Sequence, residues 1–210
     1  MPSAVWMIRY DLDAARADEY LHWFHEIHIA EKLARPGYTW AAHYRVQAPG
    51  DSRNYIALFG GRDSRVFYDP SPAQIKPRQT PETRAMMACR RNSHMLVVAE
   101  EWVSGEPVTQ SAISADWIQL ALFDANDNDE QLGAWLVQDY LATTGKSGRT
   151  LKFLASTGHP RHLLIHESAD SVTGPMLAWT WNDWSEQVSG YLSYPAGGPL
   201  LAQRVWPAAD

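Results

Sequence analysis

Three histidines and a glutamate lie close together near the N-terminus, at His22, His25, His28 and Glu31. On a helix of 3.6 residues per turn, with Tyr20 at zero, Glu31 falls near the middle of the apolar stripe and His28 falls on its edge. A buried carboxylate needs a partner or a cavity, and residues three apart on a helix can face the same space. The spacing therefore predicts a pocket whose wall holds a His28–Glu31 pair that acts as general acid and base.

The other two histidines of this segment lie away from the apolar stripe. His22 falls at about 200° and His25 at about 140° on the same helical wheel. We expect both to face solvent or a second subunit. The three histidines cannot converge on one ion from a single helix, although His25 with His28 would supply two ligands. We therefore predict no metal site and no cofactor here, and activity that survives treatment with a chelator.

A second histidine group, His159, His162 and His166, lies in the C-terminal half of the chain. In a strand, His162 and His166 would point to one face and Glu167 to the other, because side chains alternate. A metal site would then need His159 as its third ligand. We expect a hairpin with exposed histidines instead.

Residues from later strands are candidates to complete the pocket around the His28–Glu31 pair. The chain has ten Trp and nine Tyr, and aromatic side chains line pockets for flat ligands as well as filling cores. A histidine or an arginine in the wall would stabilise an enolate or a carboxylate. The residues that we expect to contact a substrate are Trp23, Phe24, His43, Tyr44, Arg45 and His94.

Composition argues against several other classes of function. The net charge is −6 and basic residues cluster only at Arg90-Arg91, so nucleic-acid binding is not expected. The single cysteine, Cys89, rules out an intrachain disulfide and indicates a reducing, cytoplasmic location; we expect its thiol to be buried. The first residues have a strand pattern rather than that of a signal peptide, and no apolar run has membrane-spanning length. The expected partner is a small-molecule substrate.

Hydrophobic patterns place these residues on a mixed α+β chain. Pro36-Gly37 ends the histidine-bearing helix, and the proline-rich stretch 69–81 predicts a loop. The first half is predicted to contain strands at 5–12, 38–46, 54–59 and 94–103, with helices at 18–35, 63–68 and 81–91. This order of strand, helix, strand, strand, helix and strand is the ferredoxin-like βαββαβ pattern.

The same order begins again after residue 115. Two segments, 162–167 and 176–181, are alternatives for the third strand of this second half. The other predicted elements are strands at 117–123, 149–156 and 201–206 and helices at 126–144 and 184–192. We therefore predict two tandem ferredoxin-like halves, residues 1–103 and 116–210, joined by a polar linker at 104–115, with the active site in the first half.

The motif Tyr20-x-x-Trp23, His28-x-x-Glu31, Pro36-Gly37 resembles the EthD-like group of the dimeric α+β barrel superfamily. The resemblance covers residues 5–103, whereas the second half shares only the order of elements. It implies two sheets closed into a barrel, helices outside, a pocket between sheet and helices in each half, and a homodimer. The group often has an arginine before the aromatic residue of its second strand. His43 stands there in this chain, which makes Arg45 the candidate replacement.

The resemblance implies a fold more than a function, because the superfamily includes cofactor-free monooxygenases, lyases, isomerases, cyclases and haem-binding enzymes. We expect a cofactor-independent enzyme that acts on an aromatic or polyketide-like carbonyl compound. His28 would move a proton while Glu31 orients its ring. A lyase (dehydratase or decarboxylase) or an isomerase is the leading expectation, and a cofactor-free monooxygenase is the next. The alternative from another class is a non-catalytic protein that binds a ligand or a haem through His28 or His94.

Overall fold

Eight antiparallel strands close into one barrel in the computed structural model, which describes residues 3–47, 54–104, 112–140, 148–168 and 200–208. The strands are β1 (Ala4–Leu12), β2 (Tyr38–Val46), β3 (Tyr55–Gly61), β4 (Arg90–Val103), β5 (Trp117–Phe123), β6 (Arg149–Thr157), β7 (His162–Ser168) and β8 (Leu200–Trp206). Every described strand of the predicted order is present, with bounds that differ from the prediction by a few residues at most.

Short helices lie outside the barrel. They are α1 (Ala17–Trp23), α2 (Ile29–Leu33), α3 (Pro72–Ile75), α4 (Pro81–Met87) and α5 (Asp129–Trp135). The stretch 69–81 is therefore not the plain loop that its prolines predicted. Pro72 stands at the start of α3, where a missing N–H costs nothing, and Ser71 and Gln74 form a reciprocal capping box around it. A 3-10 turn, Lys76–Arg78, continues the segment.

The strand order around the barrel is β1-β3-β2-β8-β5-β7-β6-β4. It contains the ferredoxin-like order twice, as β4-β1-β3-β2 and as β8-β5-β7-β6, which confirms the tandem α+β architecture. The two halves join through the pairs β2–β8 and β4–β6. Because β7 pairs with both β5 and β6, the segment 162–167 is the third strand of the second half. The predicted strand 176–181 and helix 184–192 lie outside the described residues.

Alternation along each strand divides the core into an inner and an outer part. Val5 and Met7 of β1 point into the barrel, whose interior is filled by aliphatic side chains from all eight strands together with Tyr44, Phe153 and Ile113. The outer face of the first half packs against α1, α2 and α4. The outer face of the second half packs against α5. Cys89 is a buried free thiol in the first outer cluster, as predicted.

The histidine-bearing helix contains a π-helical turn, Phe24–His28, between α1 and α2. A π-turn holds one residue more than an α-turn, so every later residue is displaced by about 100° from its expected position. Three positions predicted to be buried are exposed: Ile27 within the turn, and Glu31 and Ala34 after it. The buried positions are His28, Ile29 and Lys32 instead.

No helix in the described part of the chain is both long enough and apolar enough to cross a bilayer.

Candidate active site

A cavity of about 360 Å³ lies between the outer face of the first half's sheet and the helix pair α1–α2. Trp6 and Ile8 of β1 and Met95 of β4 form its sheet wall. The segment from the 3-10 turn Ser64–Phe67 through α4 covers it from the other side. The side chains that this cover contributes are Phe67, Pro70, Pro72, Ile75, Lys76, Gln79 and Met87. The cavity is mostly apolar, with a few polar groups that converge on it, which is the usual composition of a small-molecule site.

The polar lining of the cavity is rich in cationic groups. The basic residues in the lining are His28, Lys32, Arg35, Lys76 and Arg90. Among the described residues that line the cavity there is no Asp or Glu. The electrostatic potential inside therefore favours an anion or a group on which negative charge develops during reaction.

His28 lies in the wall of the cavity, as predicted, although its environment differs from the prediction. Its residue surface is 6% exposed, and its ring stacks on Trp23 with centroids 4.6 Å apart. Burial, followed by the nearby charges of Lys32 and Arg90, lowers the pKa of His28 to about 2. The imidazole is consequently neutral at neutral pH, and a negative charge that develops in the cavity would raise its pKa toward the range of a general base.

Glu31 does not share the buried stripe with His28, because the π-turn rotates it outward. Its side chain is 48% exposed, and its Oε2 lies 3.5 Å from His28 Nδ1, a nitrogen that forms no hydrogen bond with the described residues. The exposed carboxylate does not hold His28 in its charged form, because burial and the neighbouring cations lower the pKa of His28. Glu31 is also absent from the cavity lining.

Lys32, which the sequence did not single out, takes the central position that Glu31 was predicted to hold. It is 7% exposed, and its Nζ lies 4.5 Å from the centre of the Trp6 ring. Burial, together with the positive charges of Arg35 and Arg90, lowers the pKa of Lys32 to about 7. A substantial fraction of this amine is therefore neutral at physiological pH.

Arg90 reaches the cavity from the start of β4. Its guanidinium carbon lies 4.5 Å from the centre of the Tyr10 ring and 5.2 Å from that of Phe24, and its Nε donates to the hydroxyl of Tyr20. Its Nη2 is buried and forms no hydrogen bond with the described residues. An anionic ligand oxygen would satisfy this donor.

A hydrogen-bonded row of three buried or half-buried groups lies beside the cavity. Tyr10 Oη is 2.8 Å from His43 Nε2, and His43 Nδ1 is 2.8 Å from His25 Nε2. Burial lowers the pKa of His43 well below its ordinary value and raises that of Tyr10. His25 was predicted to face solvent or a second subunit, but it is half-buried and hydrogen-bonded to His43. His22 is exposed, as predicted. His25 lies in the π-turn itself, where the regular helical wheel no longer gives the direction of a side chain.

The other residues expected to contact a substrate do not line this cavity. Trp23 and Phe24 pack behind His28 in the outer core, and His43 belongs to the row just described. Tyr44 points into the barrel interior, where its hydroxyl donates to the carbonyl of Ala115 at 3.0 Å. Arg45 is exposed.

His94 is also separate from the cavity, because its Nε2 is hydrogen-bonded to the carbonyl of His159. It was one of two candidate haem ligands. The other, His28, lines a cavity near the lower end of the range of about 300–1,000 Å³ that holds drug-sized ligands, and a haem is larger than these. The residues present do not fit a haem at this cavity.

The C-terminal histidines form separate contacts. His162 and His166 share the outer face of β7 as predicted, but both are buried rather than exposed. His162 Nε2 is 2.9 Å from Asp129 Oδ1, and His166 Nδ1 is 2.8 Å from Thr150 Oγ1. Within the described ranges, no group of three or more His, Cys, Asp or Glu side chains is placed to hold a metal ion.

Comparisons with known proteins identify the fold. No protein-family model matches the sequence, and no curated protein matches it significantly. An anthrone oxidase-like protein superposes with a TM-score of 0.64 at 11% identity, over 97% of this chain and 91% of that chain. A proposed chlorite dismutase gives a TM-score of 0.61 at 13% identity, over 98% and 95% of the two chains. A proposed monooxygenase from Lactobacillus acidophilus gives 0.57 at 10% identity, over 96% and 94%. The chain therefore has the dimeric α+β barrel fold.

Proposed function

We propose that this protein is a cofactor-independent enzyme that removes a proton next to a carbonyl group of a small aromatic or polyketide-like compound. The observation that carries the proposal is the mostly apolar cavity in which a neutral His28 faces a wall of cationic groups. Neutral imidazole can accept a proton, and the negative charge that develops on the substrate offsets the cations that hold the pKa of His28 low. The same cations stabilise the enolate that remains after the proton leaves.

The first step follows from the positions of the side chains. The flat substrate lies against Trp6, Ile8 and Phe67, with its carbonyl oxygen toward Arg90. His28 takes the proton from the carbon next to the carbonyl. The unpaired Nη2 of Arg90 then donates a charge-assisted hydrogen bond to the enolate oxygen. Glu31, at 3.5 Å from His28 Nδ1, accepts the proton of that nitrogen once the ring is protonated.

The enolate then has two fates that this cavity supports. Loss of a leaving group or protonation at another carbon completes a lyase or isomerase reaction, which we keep as the leading candidate. Reaction of the enolate with oxygen would make the protein a cofactor-free monooxygenase. The structural likeness to an anthrone oxidase-like protein supports an anthrone, a flat tricyclic ketone, as a probe of this second candidate.

Several finer assignments rest on the sequence and belong with this proposal. The Trp23, His28 and Glu31 motif supports membership of the EthD-like group. The division into residues 1–103, 104–115 and 116–210 stays a prediction, as do the homodimer and the cytoplasmic location.

Exchange of substrate protons for deuterium tests the proposal without knowledge of the product. Anthrone and an aromatic 1,3-diketone are incubated in D2O with the enzyme, and loss of the proton signal is followed by NMR. We expect His28→Ala to slow exchange by at least about 10², the range for acid–base assistance, and Glu31→Gln to slow it less.

His22→Ala is the matched control for this experiment, since His22 lies on the same helix but is exposed. It should leave the exchange rate unchanged, and circular dichroism should show that all three variants stay folded. Equal rates for wild type and His28→Ala, or a loss in His22→Ala as large as in His28→Ala, would overturn the assignment of the base.

A further inference from the structure

We propose that Lys32 is a nucleophile that forms a Schiff base with small aromatic aldehydes or ketones that carry an anionic group. The inference rests on the cavity described above but not on the proton transfer assigned to His28. It adds covalent catalysis by a residue that the histidine motif does not include.

The surroundings of Lys32 are those of an activated amine. Its Nζ lines the cavity and lies 4.5 Å from the centre of the Trp6 ring. Among the described residues, Lys32 forms no ion pair with a carboxylate. A lysine held in an apolar pocket or beside other cations is a known arrangement for a nucleophilic amine, because both effects favour its uncharged form.

The charged groups that act on the pKa of Lys32 lower it, with one exception. Arg35, just beyond the end of α2, and Arg90 of β4 lower it, and Lys76 from the covering segment is a further cation in the lining. The exception is Glu31, whose negative charge raises the pKa of Lys32 but whose side chain is largely in solvent. The pKa of Lys32 is about 7, and burial is the largest cause of this lowering.

The same cations select the substrate. An anionic group on the carbonyl compound would pair with Arg35 or with the unpaired Nη2 of Arg90. The aromatic part would lie against Trp6 and Phe67. A neutral compound of the same size would leave these cations without a partner, so the cavity favours the anionic one.

The chemical step is balanced without an oxidant or a cofactor. The neutral amine attacks the carbonyl carbon, and the resulting carbinolamine loses water to leave a C=N bond between Lys32 and the substrate. The protonated imine withdraws electrons more strongly than the original carbonyl, which makes loss of an adjacent proton or of carbon dioxide easier. Water then hydrolyses the imine, which releases the product and the amine.

Reductive trapping tests the proposal directly. The wild-type protein is incubated at pH 7 with 4-carboxybenzaldehyde and sodium cyanoborohydride, and modified lysines are located by peptide mass spectrometry. We expect Lys32 to be labelled at least about tenfold faster than exposed Lys76, because the pKa of Lys32 is about 7 and a large fraction of its amine is therefore uncharged and reactive at this pH. Lys76 serves as an internal control, so the result does not depend on any variant folding.

Three comparisons sharpen the test. With 4-methylbenzaldehyde, the neutral analogue, labelling of Lys32 should fall at least about fivefold while that of Lys76 changes little, in keeping with selection by charge. His28→Ala should still be labelled at Lys32, which separates this proposal from the proposed proton transfer. Lys32→Arg should retain the charge and lose the label at position 32.

The pH dependence supplies the decisive measurement. The trapping rate at Lys32 should reach half its maximum near pH 7. Labelling of Lys76 as fast as Lys32, or a trapping rate at Lys32 that shows no midpoint near pH 7, would overturn the proposal.

Discussion

At the scale of single residues, burial controls the chemistry of the site more strongly than proximity along the helix. His28 and Glu31 are three residues apart, yet the exposed carboxylate does not determine the charge of the buried imidazole. Desolvation, followed by Lys32, Arg90 and Arg35, lowers the pKa of His28 to about 2. Burial and neighbouring cations also lower the pKa of Lys32, to about 7. The burial of each titratable group is therefore a better guide to its protonation state than the presence of an oppositely charged residue nearby in the sequence.

The depressed pKa of His28 predicts a pH dependence of stability. An unfolded histidine takes up a proton near pH 6.5, whereas the folded protein resists protonation of His28 down to about pH 2. Stability present above pH 6.5 is therefore lost progressively as the pH falls toward 2, by up to about 1.4 kcal/mol per pH unit. Urea unfolding from pH 7 to pH 4 should show a shallower loss for His28→Gln than for wild type. Parallel curves would show that His28 protonates as easily in the folded state as in the unfolded one.

At the scale of elements, one extra residue in a helix determines the composition of the site. The π-turn Phe24–His28 brings His28 and Lys32 to the sheet and turns Glu31 to solvent. The second half contains the same feature, since α5 is seven residues long, as is α1, and is followed by a π-turn, Leu136–Tyr140. Trp135 stacks on Tyr140 at 5.6 Å, as Trp23 does on His28 at 4.6 Å. The two halves therefore share their helix geometry even though their sequences have diverged.

Deletion of a single residue tests the role of the π-turn. Removing exposed Ile27 from within the turn should convert it to an α-turn and leave the residues beyond it in place. We expect this variant to fold with a Tm within a few degrees of wild type. Removing Ala30, which is also exposed but lies in α2, should rotate buried side chains by about 100° and lower the Tm markedly. Thermal unfolding by circular dichroism measures both. If the Ile27 deletion is the more harmful, the extra residue has another role.

At the scale of the whole molecule, the barrel is closed by two equivalent seams. β2 pairs with β8, and β4 pairs with β6, so each half offers two edge strands to the other. Part of the predicted linker also enters the barrel, since Ile113 is buried in the interior cluster. The carboxylate of Glu167 accepts hydrogen bonds from the backbone of Ser114 and Ala115 at 2.7 and 3.1 Å. The connection between the halves is therefore anchored at its C-terminal end.

Residues 1–103 alone should form a homodimer. The isolated half would expose the edges of β2 and β4 and the apolar inner face of its sheet, which are costly in water. Because β8 corresponds to β4 and β6 corresponds to β2 in the repeat, a second copy could pair with both edges and close a barrel. Light scattering after size-exclusion chromatography should give the mass of two copies. A folded monomer would show that the seams are not needed for stability.

The sequence alone determined the order of strands, the tandem repeat and the approximate place of His28. These properties depend on local patterns, because alternation fixes which face of a strand is apolar and Pro36-Gly37 ends a helix wherever it occurs. The same patterns predicted buried Cys89 and exposed His22, and the structure agrees on both.

Tertiary structure decided which side chains meet at the site. The 3.6-residue period placed Glu31 in the wall, but packing against the sheet selected a π-turn that places Lys32 there instead. Arg90 joins His28 only because β4 returns beside β1, at a separation of 62 residues that no local pattern reports. His25 likewise meets His43 across the space between helix and sheet. Contacts of this kind depend on how elements pack. A helical wheel assumes 3.6 residues per turn throughout, and packing against the sheet can change that period locally.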